Sequence, residues 1–547
     1  MAEAAAQDAQ MAAPNPSSKV SKAGWYTLFL VSTMQAMSLL DRQILSILAT
    51  NIRDDLGIGD AELGLLYGTV FALFYALFSL PLGRLADGWI RTKLLAICIT
   101  IWSLSTGMAA FAGGFAMLAL SRLGVGIGEA AAQPGGNSLI FDTFPKNRRG
   151  IAMAAMAIAV AIGLGASMIL GGVAAEWWDT RYASVPAPLD LAGWQFAFLV
   201  AAAPGLILAF LLYKLKEPVR GAMEGIPTKP DPHPFRASGA VLTSVTPGLN
   251  WWMLWRRDAG AKQWLANISA LAFILILCIS IISWAQGFSP RPGLELGVGT
   301  LDPHLLQWFV VGFGLFVIFN LFQSFKLSDR PTYAVVLSPS LLLLMIVGGL
   351  QSAINYGVMG FTPSFIIRTY ELSPAEAGLQ FGLLAAALGI LGPVIAGPLT
   401  DWVNTRMPGV GRVLLALLAL GVSPIFGIWT FSADDAGSFY LRFTLYSLIL
   451  TMWMPPVYAM MYDLVLPRMR GITSSLYIVI MTLLGLGIGP YAVGMISDAN
   501  GGDLAGAIIA INLVSPVIVV LLVIVAIRVR RDEATLVDRA RAAGEDI

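Results

Sequence analysis

Leu39-Leu40-Asp41-Arg42-Gln43-Ile44-Leu45 sets two opposite charges side by side inside the apolar run from Trp25 to Thr50. That run has the length of a bilayer-spanning helix, about 20 residues with some excess for tilt. Within hydrocarbon each charge costs about 2.5–3.5 kcal/mol on insertion scales. Neighbours on a helix point about 100° apart, so Asp41 and Arg42 cannot neutralise each other across their own backbone. Each requires a partner on another helix, or water in a cavity. Two readings follow: a salt-bridge network that locks helices together, or a proton or substrate site.

The rest of the chain fits a membrane setting. Of its 547 residues 57% are hydrophobic and only 12% charged, and the mean hydropathy is +0.74. A soluble domain carries about 25% charged residues, so an integral, multi-pass membrane protein is expected. The net charge of +1 offers nothing to nucleic acid. Cys98 and Cys278 lie in apolar spans and read as packing residues. The two histidines, His233 and His304, are isolated, which argues against a metal or catalytic cluster. With no nucleophile elbow or phosphate-binding glycine loop, the expectation is a non-enzyme without metal or cofactor, not driven by ATP. Residues 1–24 lack a signal peptide's basic-then-apolar order and read as a disordered cytoplasmic tail.

Apolar spans fall at about 25–50, 62–84, 92–113, 115–141, 150–176 and 193–213, then at about 264–286 and 304–325. Six more follow at about 335–367, 375–400, 411–432, 438–465, 471–497 and 505–529. This predicts about 14 transmembrane helices in an all-α fold, with the middle two read either as two spans or as one span plus a surface helix. The domains are a six-helix bundle over 25–213, a linker plus inserted helix pair over 214–334, a second bundle over 335–530, and a tail over 531–547. With the N-terminus in the cytoplasm, only Arg42, Arg53, Arg122, Arg181, Arg291, Arg368 and Arg442 fall inside spans or outside the cell, leaving 27 of 34 Lys and Arg inside. Both termini are therefore placed in the cytoplasm, at the inner (plasma) membrane if the source is bacterial.

The halves repeat. Arg53…Glu62-x-Gly64 is echoed by Arg368…Glu376-x-Gly378, Gly83-x-x-x-Asp87 by Gly397-x-x-x-Asp401, and Asp142…Arg149-Gly150-Ile151 by Asp463…Arg470-Gly471-Ile472. Arg122 matches Arg442, and all offsets lie between 314 and 321 residues. Two parallel six-helix bundles with a binding site at midplane between them are implied. The insertion adds an even number of helices, so the halves are expected to fold without it. Between the first bundle and that insertion, Trp251, Trp252 and Trp255 beside Arg256, Arg257 and Lys262 suit an interfacial helix among membrane-lipid headgroups.

Gly83-Arg84-Leu85-Ala86-Asp87 followed by Arg91 resembles the signature loop of the major facilitator superfamily, with Gly88 and Ile90 departing from its usual residues. Here Gly83 permits close helix approach, and Asp87 is expected to cap a helix or hold an Arg as a latch. The gating motifs expected are thus Gly83, Arg84, Asp87, Arg91, Asp142, Arg149, Asp401, Asp463 and Arg470. Within that superfamily, Asp41 to Leu48, Phe71 to Phe78, Pro81 to Asp87 and Arg122 to Ala130 together resemble the spinster family of lysolipid transporters. The resemblance implies export of sphingosine-type or lysophospholipid molecules, with Asp41 and Glu129 as proton-sensitive sites.

Spacing supplies a site independently. Arg122, Gly126, Glu129, Gln133 and Asn137 share one polar helix stripe, opposite a small-residue face of Gly124, Gly128, Ala131 and Gly135. Gln35, Ser38 and Arg42 lie together on the first helix, with Asp41 at the edge of their stripe. In the second half Asn355 and Tyr356 align with Asp41, while the counterpart of Glu129 falls near Leu450. Met452, Trp453, Met454, Tyr458, Met460, Met461 and Tyr462 beside Pro455-Pro456 suit either plain packing or the wall of an acyl-chain cavity.

The leading expectation is a proton-coupled secondary transporter of an amphipathic lysolipid, acting as a monomer by alternating access. Asp41 and Glu129 carry protons; Arg42, Arg122, Gln133, Asn355, Tyr356 and Tyr458 hold substrate. A deprotonated Glu129 is expected to draw an Arg toward it and bind the halves together near midplane. The alternatives are a proton-coupled carrier of a small organic anion or drug, and a non-transporting sensor.

Overall fold

The computed structural model describes residues 20–145, 148–220, 223, 231–295, 300–407, 410–466 and 469–545. The first helix, α1 (Lys22–Leu56), starts where Ser21 accepts from the Gly24 amide at 3.0 Å and stops at Gly57, whose φ of 63° ends the helix in the left-handed region. The first bundle continues with α2 (Asp60–Gly88), α3 (Arg91–Ala109), α4 (Phe115–Glu129), α5 (Ala132–Thr143), α6 (Arg149–Arg181) and α7 (Gly193–Lys214).

The linker forms two short helices, α8 (Pro234–Val245) and α9 (Leu249–Arg256). The inserted pair is α10 (Ala261–Phe288) and α11 (Pro303–Ser328), joined by a small antiparallel hairpin of β1 (Leu294–Glu295) and β2 (Thr300–Leu301). The short α12 (Arg330–Val336) leads to the second bundle of α13 (Pro339–Tyr370), α14 (Pro374–Arg406), α15 (Gly411–Phe431), α16 (Ala436–Thr451), α17 (Met454–Asp463), α18 (470–499) and α19 (Leu504–Ala534), with α20 (Leu536–Ala542) after it.

Twelve of the described helices are long and apolar enough to cross a membrane. Two more complete the bundles. One is α1, whose Asp41, Arg42 and terminal charges dilute its hydropathy, and the other is the α16–α17 run, interrupted at Met452 and Trp453. The interruption recurs at the matching place in the first half, where Ala130 and Ala131 separate α4 from α5. Pro134 and the pair Pro455-Pro456 lie in the first turns after these breaks, where a missing amide donor costs no helix bond.

The halves meet along two seams made close by glycine. Along one, α2 and α18 each carry a π-helical turn, Leu65–Thr69 and Met481–Leu486, and a Cβ on Gly68 would fall 1.9 Å from the Leu486 carbonyl. Along the other, a Cβ on Gly165 of α6 would fall 2.5 Å from the Gly382 carbonyl of α14. Within the first half, the small face of α4 and α5 packs on α3, Gly124 against Ser105, Gly128 against Cys98 and Trp102, and Gly135 against Leu95.

At the face that bears the described chain ends, the repeat appears as ion pairs. Arg91 pairs with Asp142 and Arg412 with Asp463, both residues of each pair offset by 321. Here the latch expected of Asp87 is corrected. Asp87 and Asp401 are exposed and no ion pair is described for either. The carboxylates that hold Arg91 are Asp142 and Glu217, and the carbonyls closing α2 are taken by Arg220 of the linker, which donates to Ala86, Asp87 and Trp89. A cation at a helix C-terminus meets the free carbonyls and negative dipole end, so the linker has assumed the capping role. Arg84 binds Asp231 at 3.1 Å, and Ser238 of α8 donates to the Pro81 carbonyl at 2.7 Å. The side chains of Arg149 and Arg470 lie outside the described residues, as do residues 1–19 of the tail.

At the opposite face the halves are stitched together. Arg368 of α13 grips Asp60 of α2 at 2.7 and 2.8 Å. Asp498 of α18 accepts from the Asp60 and Ala61 amides, and Glu176 of α6 accepts from the Ala375 amide at the start of α14. Each bundle's second helix is thus capped by an acid from the other bundle, at amides 314 residues apart.

Candidate functional site

The polar centre of the first half is built from α1, α2, α3 and α4. Arg42 donates through Nε to Glu129 Oε2 at 2.6 Å, and Ser38, one turn earlier on α1, donates to the same oxygen at 2.8 Å. The Arg42 guanidinium lies 4.7 Å from the centroids of both Phe71 and Tyr75 of α2, whose rings stack on each other. Such a cation is held by charge on one side and by π-faces on the other. Glu129 is fully buried at the C-terminal end of α4, and its second carboxylate oxygen has no hydrogen-bond partner among the described residues.

Asp41, about 100° around the helix from Arg42, makes no hydrogen bond with that cluster. It is fully buried, and neither carboxylate oxygen has a hydrogen-bond partner among the described residues. Trp102 and Thr106 of α3 stand near it, but outside hydrogen-bond geometry. The two charges that share a dipeptide therefore sit in different environments: one cation paired with a carboxylate, one carboxyl without a hydrogen bond among the described residues.

Arg122 is buried and donates at 2.9 Å to the Asp41 backbone carbonyl and at 3.5 Å to that of Arg42. It ties α4 to α1 through main-chain groups instead of presenting its charge to a cavity, which departs from the substrate-binding expectation. The expectation that Glu129 draws an Arg across the halves is likewise corrected, since its partners Arg42 and Ser38 both lie on α1 of its own half.

Of the other expected site residues, Gln133 is exposed one turn beyond Glu129 toward the face bearing the chain ends. Asn355 accepts from Gln351 at 3.0 Å along α13. Tyr356 is partly buried within electrostatic range of Arg42, so it brings the second half up to the charged cluster. Tyr458 sits edge-on to Tyr477 and reaches the Met481 sulfur at 3.8 Å. Phe71 and Tyr75 were not singled out by spacing. The signal available was their i, i+4 relation on a helix facing an unpaired intramembrane arginine.

The arrangement can exchange a proton for a cation contact. Protonating Glu129 removes the charge that holds Arg42, while Phe71 and Tyr75 keep the guanidinium in place. What remains is a fixed cation with an open coordination side.

The Major Facilitator Superfamily profile matches residues 31–353. An MFS-type efflux pump of Mycolicibacterium smegmatis is 25% identical over 481 residues, covering 88% of this chain and 86% of that one. Protein spinster of Drosophila melanogaster is 25% identical over 405 residues, 71% of this chain and 64% of the fly protein. Among solved structures, a bacterial homolog of the human lysosomal transporter spinster, in an inward-facing and occupied conformation, superposes with a TM-score of 0.63 at 21% identity, covering 96% of each chain. The chain is a multi-pass membrane protein of the major facilitator superfamily, with spinster proteins among its relatives.

Proposed function

We propose that the chain is a proton-coupled secondary transporter that moves an amphipathic lysolipid or sphingosine-type molecule by alternating access. One observation carries the reading: the pair of half-buried Arg42 with fully buried Glu129, beside an Asp41 whose carboxylate has no hydrogen-bond partner among the described residues. A proton on Glu129 releases Arg42 to an anionic headgroup, so proton and anionic substrate favour each other's binding. Asp41, without a cation on its carboxylate, carries the transmembrane proton. Tyr356, Tyr458 and the neighbouring methionines of α17 receive the acyl chain. The protein works as a monomer, with both termini in the cytoplasm, as the basic residues favour. The gating motifs at the cytoplasmic face change partners between states.

A second cargo, a small organic anion or drug, is favoured by the long match to an efflux pump. It uses the same Arg42. The test is a thermal-shift screen of lysolipids against small organic anions, followed by pH-driven uptake in liposomes. Stabilisation by anionic lysolipids and pH-driven uptake of the same compounds support the first reading. Stabilisation by short-chain anions alone supports the second. Loss of both responses in every pH condition contradicts proton-coupled transport.

A further inference from the structure

The inserted helix pair is more than a spacer. Its hairpin carries Arg291 into the seam between α2 and α18 at the face opposite the chain ends. There Arg291 binds Glu62 of the first half, with Nε 3.1 Å from Oε1, and Asp498 of the second half at 2.5 Å. Glycine makes room for it, since a Cβ on Gly59 would lie 1.9 Å from the guanidinium. One helix turn from the start of α11, Gln307 repeats the bridge deeper in the seam. Its amide donates to the Gly487 carbonyl of α18 at 2.9 Å, and its oxygen accepts from Thr69 in the π-turn of α2. His304 adds a contact to Tyr491 and is held by the Ser289 carbonyl at 2.8 Å.

The seam between α6 and α14 is the control within the molecule. It has the same cross-bundle cap, Glu176 on the Ala375 amide, but no described contact from the insertion. Glu62 and its repeat mate Glu376 each accept the backbone amide at the N-cap of their helix, from Gly59 and from Ser373, but only Glu62 also meets an arginine of the insertion. The α2–α18 seam instead brings together Asp60, Glu62 and Asp498, with Arg368 on the first and Arg291 on the other two. Without Arg291, Glu62 and Asp498, carboxylates of opposite halves, would face each other with no cation between them, and like charges at that range repel.

We infer that the inserted pair is a clasp on this gate. Opening the face opposite the chain ends requires α2 and α18 to part, and the two bridges from the insertion must then let go of one half. Arg291 and Gln307 are gating residues for transport, supplied by an element belonging to neither bundle. The clasp biases the carrier toward the state in which this face is closed, whatever the cargo.

The test uses the full-length protein in nanodiscs with spin labels at Ser184→Cys and Ser432→Cys, both exposed at this face on opposite halves. The native cysteines are buried. In Arg291→Ala and in Gln307→Leu the long-distance, open population should rise about fivefold or more, the low end of coupling between linked sites. Arg291→Lys, keeping the charge without the two-pronged fork, should fall between Arg291→Ala and the parent protein. Monodisperse variants with the parent's distance distribution would overturn the clasp. So would failure of both Arg291→Ala and Gln307→Leu to yield monodisperse protein, because the insertion would then be part of the folding core.

Discussion

Arg122 and Arg442 occupy the same place in the repeat, 320 residues apart, yet one is buried and the other only half-buried. Arg122 ties α4 to the carbonyls of α1 beside the Asp41–Arg42–Glu129 cluster. Arg442 donates to the Trp429 carbonyl and covers the Trp429 ring at 5.1 Å, at the rim of the second half. The same asymmetry runs through both bundle centres. Where the centre of the first half holds a carboxylate–guanidinium pair and a carboxyl without a described hydrogen bond, that of the second holds neutral amides and phenols, Gln351 on Asn355 and Tyr446 on Asn512. One half holds charged side chains at its centre and the other neutral ones. Duplicated helices can therefore keep a common architecture while only one copy retains titratable groups, because the fold depends on small-residue seams and helix breaks that both copies share.

Breaking the pair should expose this contrast most strongly. Arg42→Ala leaves the buried Glu129 charge without its cation, which costs up to about 3–5 kcal/mol of stability. The double variant Arg42→Ala with Glu129→Gln should recover most of that loss, since no buried charge remains. Unfolding midpoints in detergent measure both. Equal destabilisation of the single and double variants would mean that Arg42 serves by packing alone.

Asp41→Asn should lower pH-driven uptake in liposomes at least about tenfold while leaving counterflow near the parent rate, because the amide keeps shape but carries no proton. Uptake at the parent rate would make Asp41 structural. On the neutral side, Tyr458→Phe removes only a hydroxyl-to-sulfur contact and should change apparent substrate affinity by no more than about threefold. The smallest effect is expected at the rim: Arg442→Ala should shift stability by about 0.5 kcal/mol or less.

Much of this architecture is legible in the sequence. Hydropathy and the 314-to-321 offsets yield the helix count, the two bundles and the insertion, because those features are periodic in the sequence. The small face of Gly124, Gly128 and Gly135 was readable too, since a helix stripe is a local property. Partners were not. Whether Arg42 meets Glu129 or Arg122 meets a backbone carbonyl depends on the rotation of packed helices, which one stripe cannot define. Asp87 misled because a motif acid at a helix end invites a latch, while Arg220, in a linker without periodic signal, took the helix-end carbonyls. Arg291 lay in a loop between inserted spans, where sequence spacing says nothing about reach.

The central claim is that a proton on Glu129 frees Arg42 for an anionic headgroup. It is tested most directly by titrating an anionic lysolipid into the purified protein across pH 5 to 8.5, for the parent chain and for Glu129→Gln. The parent should bind more tightly as pH falls, because protonation removes Arg42's partner. Glu129→Gln should bind tightly throughout, with its pH dependence flattened, since an amide holds the guanidinium only weakly. A Glu129→Gln variant that follows the parent's pH dependence unchanged would contradict the account, and would leave the Arg42–Glu129 pair as a lock between helices.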